Sequence, residues 1–98
     1  SLETKPPKVP MRTLIEANFL SVGQTLFDKN KNEICIVTQD GNVKDNEETL
    51  SIHKMSAKYL KKINNNGWDY FYLFRDGNFI TLDSLRYEYT NQSGKPHE

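Results

Sequence analysis

The segment from Ser51 to Trp68, with the sequence SIHKMSAKYLKKINNNGW, constrains the fold most strongly. Its apolar residues recur at the spacing of one helix face, and they are Ile52, Met55, Tyr59, Leu60 and Ile63. Ser51 or Thr49 can cap the first backbone N–H groups of such a helix, and Gly67 lies just past its expected end. The pattern therefore predicts a short helix that is followed at once by the only tryptophan of the chain.

The opposite side of this predicted helix is cationic. It carries no acidic residue and four lysines, namely Lys54, Lys58, Lys61 and Lys62. A continuous positive surface beside an aromatic side chain is typical of proteins that bind nucleic acids, because the lysines contact phosphates and the ring stacks on bases. The alternative is an ordinary solvated helix face, with the acidic stretch before the helix placed favourably near its N-terminus. Both interpretations remain open at this point.

Composition limits the other possibilities. The 98 residues carry 13 basic and 13 acidic side chains, so a bulk positive charge does not drive binding, although local patches still can. The single cysteine, Cys35, cannot form an internal disulfide, and its apolar neighbours predict a buried strand thiol. No apolar run approaches the about 20 residues that a membrane helix needs, so we expect no membrane partner.

The first half of the chain predicts a helix followed by hairpins. Residues 1–10 contain three prolines and are expected to be a disordered linker, while residues 11–90 form one domain and residues 91–98 a tail. Thr13 and Glu16 have the spacing of a capping box at the start of a first helix. Strands are then predicted at residues 24–27, 33–39 and, more briefly, 42–44.

The second half adds a strand at residues 68–74, a hairpin turn at residues 75–78 and a returning strand at residues 79–82. Asp83 is expected to cap a last helix over residues 84–89. The sequence thus predicts an α+β fold, with a small antiparallel sheet built from β-hairpins and two or three short helices packed on it.

The sequence contains no recognisable catalytic or metal-binding constellation. His53 and His97 are the only histidines, there is no Cys-x-x-Cys pair, and no glycine-rich phosphate loop is present. We therefore expect a non-catalytic chain without a metal ion or a cofactor.

Three further residues are candidates for nucleic-acid contact. Trp68 either fills the core or offers a stacking surface, with Tyr70 beside it. Arg86 either pairs with a neighbouring carboxylate or contacts a phosphate or a guanine edge. Together with His53 and the four lysines they form the predicted nucleic-acid site, and double-stranded DNA is the expected partner.

Several short motifs, taken in their order along the chain, resemble those of one family. They are the run Thr13–Leu26, the turn Asp40–Gly41, the helix start Ser51–His53, the triplet Asn66–Trp68 and the closing Leu82 with Leu85–Arg86. Together they resemble the RAMA domain, whose name stands for restriction enzyme and adenine methylase associated. The resemblance covers residues 12–89, and the acidic stretch at residues 44–49 departs from the usual pattern.

The resemblance implies a non-catalytic module that binds DNA, senses N6-methyladenine in some settings, and accompanies an adenine methyltransferase, a restriction enzyme or a chromatin protein. The location is then nuclear in a eukaryote or cytoplasmic in a bacterium. The alternative is a protein-interaction module that docks onto a methyltransferase or a chromatin complex through the aromatic strand face.

Overall fold

The structure, a computed structural model, describes residues 7–93. The predictions for residues 1–6 and 94–98 lie outside the described residues. The helices are α1 (Met11–Glu16), α2 (Ile52–Leu60) and α3 (Leu82–Ser93), with a 3₁₀ helix at Gly67–Asp69. The strands are β1 (Thr25–Phe27), β2 (Glu33–Val37), β3 (Val43–Lys44), β4 (Thr49–Leu50), β5 (Tyr72–Arg75) and β6 (Asn78–Thr81).

All six strands form one antiparallel sheet with the order β4-β3-β2-β1-β5-β6. This arrangement confirms the predicted α+β class. Four of the strands contribute buried residues to the core, which includes Leu26 of β1, Val37 of β2, Val43 of β3 and Leu73 of β5. Cys35 is buried among them as predicted, and burial raises the pKa of its thiol to about 12.

The first helix begins earlier than predicted. It starts at Met11 after Pro10, and no side chain caps its first turn, so the capping box at Thr13 and Glu16 is wrong. Proline suits this position because it lacks the N–H group that a helix start cannot satisfy. The helix ends at Glu16, and Asn18 follows in the left-handed region with φ 66°.

The middle helix begins where the sequence predicted and ends sooner. Ser51 Oγ accepts a hydrogen bond from the Lys54 backbone N–H at 3.2 Å, which confirms the predicted cap. Lys61 then adopts a left-handed conformation, with φ 59° and ψ 45°, and closes the helix. Ile63, expected on the buried side, is instead 98% exposed.

Trp68 is not in a strand. The Asn66 side chain accepts a hydrogen bond from the Trp68 backbone N–H at 3.1 Å, which holds the triplet in a 3₁₀ turn. Strand β5 starts only at Tyr72. Phe71 and Leu73 are fully buried, whereas Phe74 is exposed.

The folded region is longer than residues 11–90. Val9 packs into the core, and α3 continues to Ser93. The two-residue strand β4 was not predicted because so short a segment carries no alternation.

Candidate nucleic-acid interface

A groove of about 480 Å³ opens at the N-terminal end of α2. Five parts of the chain that are distant in sequence line it: residues 8–12, the turn Asp40–Gly41, the helix start Ser51–His53, Trp68 and Arg86. The last four belong to four of the short motifs noted in the sequence. The fold therefore brings these motifs together at one place.

Two glycines permit this close assembly. A Cβ atom on Gly67 would lie 2.4 Å from the carbonyl carbon and oxygen of Ile52, so only glycine fits against the first turn of α2. A Cβ atom on Gly41 would lie 2.8 Å from Cγ of Arg12, and this glycine also has φ +87°. The Asn-Gly-Trp and Asp-Gly motifs thus set the shape of the groove.

His53 fixes one wall of the groove. Its Nδ1 atom accepts a hydrogen bond from the Gly67 backbone N–H at 2.9 Å. The neutral ring must therefore carry its proton on Nε2, which is the nitrogen left to donate to a ligand. The ring itself is exposed at the groove. His53 thus stabilises the turn at Gly67 and also lines the groove.

Arg86 lies deep in the groove wall and is only 8% exposed. Its Nε atom donates to Asp83 at 2.7 Å, and a terminal nitrogen donates to the Pro7 carbonyl at 2.9 Å. Its guanidinium carbon lies 4.2 Å from the centroid of the Trp68 ring. The ion-pair interpretation of Arg86 is therefore correct, and the residue fastens the segment before α1 to the domain.

Trp68 is a core residue with 7% exposure, and Arg86 covers one face of its ring. It reaches the groove without offering an open stacking platform. Tyr70 is not brought to this groove. It is half-buried, packs edge-on against Phe71 with ring centroids 5.0 Å apart, and burial raises the pKa of its hydroxyl.

Lys58 does not belong to a free cationic face. Its Nζ atom lies within ion-pair distance of three carboxylates: Asp45 at 2.7 Å, Glu47 at 2.8 Å and Glu48 at 2.9 Å. The expectation of one continuous surface of four lysines is therefore wrong. The acidic stretch before α2 serves Lys58 rather than the helix N-terminus.

The Asp45 carboxylate is the centre of this cluster. The bond from Lys58 holds the pKa of Asp45 well below its usual range, helped by the backbone N–H groups of Glu47 and Glu48. The three carboxylates in turn raise the pKa of Lys58. Burial and the hydrogen bond to Asp45 also raise the pKa of Tyr59 to about 12.

The other three lysines are exposed and form no ion pair with any residue in the described range 7–93. Lys54 lies in the first turn of α2 beside the groove, whereas Lys61 and Lys62 follow the last turn. Two more exposed cations, Lys8 and Arg12, line the groove. Sequence reasoning missed both because Arg12 reaches the groove by packing of α1 on the turn at Gly41, and Lys8 belongs to the segment that Arg86 holds through the Pro7 carbonyl.

Within the described residues no group of three or more potential ligands is arranged to hold a metal ion. Nor does any helix of that part of the chain have the length and apolar character needed to cross a membrane.

Comparison with known proteins agrees with the motif pattern. Residues 1–95 match the family model described as RAMA, Restriction Enzyme Adenine Methylase Associated. The chain is 89% identical over 92 residues to the Type II methyltransferase M.HinfI of Haemophilus influenzae. The aligned region covers 94% of this chain and 26% of the relative, so the chain spans about a quarter of that protein's length. The chain belongs to the RAMA family.

Proposed function

We propose that this chain is a non-catalytic module that binds double-stranded DNA on behalf of a DNA methyltransferase. The observation that carries the proposal is the groove at the start of α2, where the family-like motifs converge beneath exposed cations. Its volume of about 480 Å³ is that of a small-molecule pocket, so a duplex would lie across its rim. Apolar walls with a few polar groups at the rim are also typical of such sites.

The charges at the rim suit a polyanion. Lys8 and Arg12 line the groove with a single exposed carboxylate, Asp40, and His53 adds a hydrogen-bond donor. The Thr38 hydroxyl donates to Asp40 at 2.5 Å and lowers the pKa of that carboxyl. Lys54 adds a further free cation beside the opening. Phosphate contacts by such side chains give affinity without sequence preference.

The relative supplies the biological setting. It is a Type II methyltransferase from Haemophilus influenzae. We therefore place the module in a bacterial restriction–modification protein, acting in the cytoplasm. The relative lends no support to the expected nuclear location or to a chromatin partner.

The direct test is the salt dependence of binding to a duplex, followed by fluorescence anisotropy. Contacts from the rim cations Lys8, Arg12 and Lys54 predict a log–log slope of about −2.7 for B-form DNA. Failure to bind a duplex at low salt would contradict the proposal.

Sensing of N6-methyladenine is a narrower form of the same proposal. The added methyl group needs an apolar wall, and Met11, Ile52 and the edge of Trp68 provide one in the groove. A pair of duplexes that differ only in this methyl group should then differ in affinity. Equal affinity would remove methyl sensing and leave DNA binding in place.

A second candidate function rests on the aromatic residues of the sheet. Tyr72 stacks on Phe79 with centroids 5.0 Å apart, and Phe27 and Phe74 pack edge-to-face at 5.3 Å. Phe74 is exposed. This face could dock onto the remainder of a methyltransferase. Titration of the chain with a related methyltransferase that lacks the matching segment tests this function. Phe74→Ser should then lower the affinity for that methyltransferase.

A further inference from the structure

The loop after α2 holds a large apolar side chain out in solvent. Ile63 is 98% exposed, the highest exposure among the large hydrophobic residues that the structure describes as exposed. Lys61 and Lys62 precede it and Asn64 follows, all three exposed. We call residues 61–64 the tip.

The tip is anchored on both sides. Before it, the Lys62 backbone N–H donates to the Ala57 carbonyl at 2.9 Å, and that of Lys61 to the Lys58 carbonyl at 3.2 Å. This pair of bonds is the Schellman arrangement, which fixes the direction in which the chain leaves a helix. After it, the Asn65 side chain donates to Ser56 Oγ at 3.2 Å. The exposure of Ile63 is therefore imposed by the fold.

The charge around the tip indicates its partner. Lys58, one turn earlier, is neutralised by three carboxylates, whereas Lys61 and Lys62 pair with no carboxylate in residues 7–93. A protein surface that docks on an isoleucine does not require two free ammonium groups beside it. A DNA backbone on both sides of an inserted side chain does.

We propose that Ile63 is a wedge that enters the minor groove of a duplex and partly unstacks one base step. Lys61 and Lys62 contact the flanking phosphates, and the Asn64 amide contacts base edges in the minor groove of the DNA. Proteins that kink DNA use apolar wedges of this kind with basic neighbours. The wedge rests on the proposed DNA binding and assigns it a second point of contact.

The position of the tip suits a single duplex. Helix α2 has nine residues and is thus about 14 Å long. The groove lies at its N-terminal end and the tip at its C-terminal end. A duplex that runs along α2 would meet both within about four base pairs.

The test compares two short duplexes that differ by one central mismatch. A mismatched step is already partly unstacked, so a wedge binds it more tightly. We expect the wild-type chain to prefer the mismatch about tenfold, and Ile63→Ala to lose that preference with an unchanged salt slope. Val22→Ala, at another aliphatic residue that is 56% exposed, should keep it.

Bending of the duplex, measured by energy transfer between dyes at its two ends, gives a second readout. The wild-type chain and Val22→Ala should bend the duplex, and Ile63→Ala should not. Unchanged mismatch preference and bending in Ile63→Ala would overturn the wedge alone. Failure of the wild-type chain to bind either duplex would overturn DNA binding itself. Loss of binding to a methyltransferase body in Ile63→Ala, with DNA binding intact, would assign the residue to a protein interface and overturn the wedge.

Discussion

The two ends of α2 use the same kind of residue in opposite ways. At the N-terminal end, Lys54 forms no ion pair within residues 7–93 and lies beside a groove whose rim is cationic. Towards the C-terminal end, Lys58 is enclosed by Asp45, Glu47 and Glu48. The difference arises outside the helix, since the connection between β3 and β4 supplies all three carboxylates. A lysine on a helix face is available to a ligand only if no neighbouring loop has already bound it.

The largest expected effect is on the free energy of unfolding and follows from a substitution at the groove. Trp68→Ala should lower the free energy of unfolding by about 3–5 kcal/mol, because it leaves a cavity and removes the ring that Arg86 covers. Urea denaturation measures the change. Tyr87→Ala, at a tyrosine that is 40% exposed, should cost about 0.5 kcal/mol or less. Retained stability with lost DNA binding would make Trp68 a contact residue instead of a core residue.

The stability contributed by the ion-pair cluster around Lys58 should depend on pH. The pKa of Asp45 is depressed in the folded state, so the unfolded chain takes up a proton first as the pH falls towards 3.8, its ordinary value. The stability that Asp45 contributes is thus complete above about pH 5 and is lost progressively below it. The free energy of unfolding should therefore depend less steeply on pH in Asp45→Asn than in wild type over this range. Equal slopes in wild type and Asp45→Asn would contradict the ion-pair cluster.

Sequence patterns predicted the local features of the fold well and the tertiary ones poorly. The cap at Ser51 depends on residues three apart, and the buried Cys35 on its immediate neighbours, so both could be predicted. The partners of Lys58 could not, because they reach it only through β4, whose two residues show no strand pattern.

In the candidate site, too, the residues set by local sequence were predicted and those set by tertiary packing were missed. The sequence identified His53, Lys54 and Arg86, which the fold brings to the groove or beside it. It missed Arg12, because this residue reaches the groove through contact between α1 and the turn at Gly41, and it missed Lys8, because Lys8 lies in the segment that Arg86 holds through the Pro7 carbonyl. Trp68 was placed in a strand, since the aromatic alternation after it conceals the capping side chain of Asn66.

A smaller effect is expected where α2 ends. Lys61 is held in the left-handed region, which costs a residue with a side chain about 1 kcal/mol relative to glycine. Lys61→Gly should therefore raise the free energy of unfolding by about that amount, while it weakens duplex binding by removing a phosphate contact. Urea denaturation and anisotropy on the same sample separate the two effects. A destabilised variant would show that the lysine stem itself packs on the domain.

The contrast between the two ends of α2 is tested most directly by two variants of equal charge. Arg12→Gln and Lys58→Gln each remove one positive charge from a chain whose net charge is zero. Salt titrations of duplex binding should give Arg12→Gln a slope about 0.9 shallower than wild type, because one phosphate contact is lost, and leave the slope of Lys58→Gln unchanged. An equal loss of slope in both variants, or a loss in Lys58→Gln alone, would contradict the account.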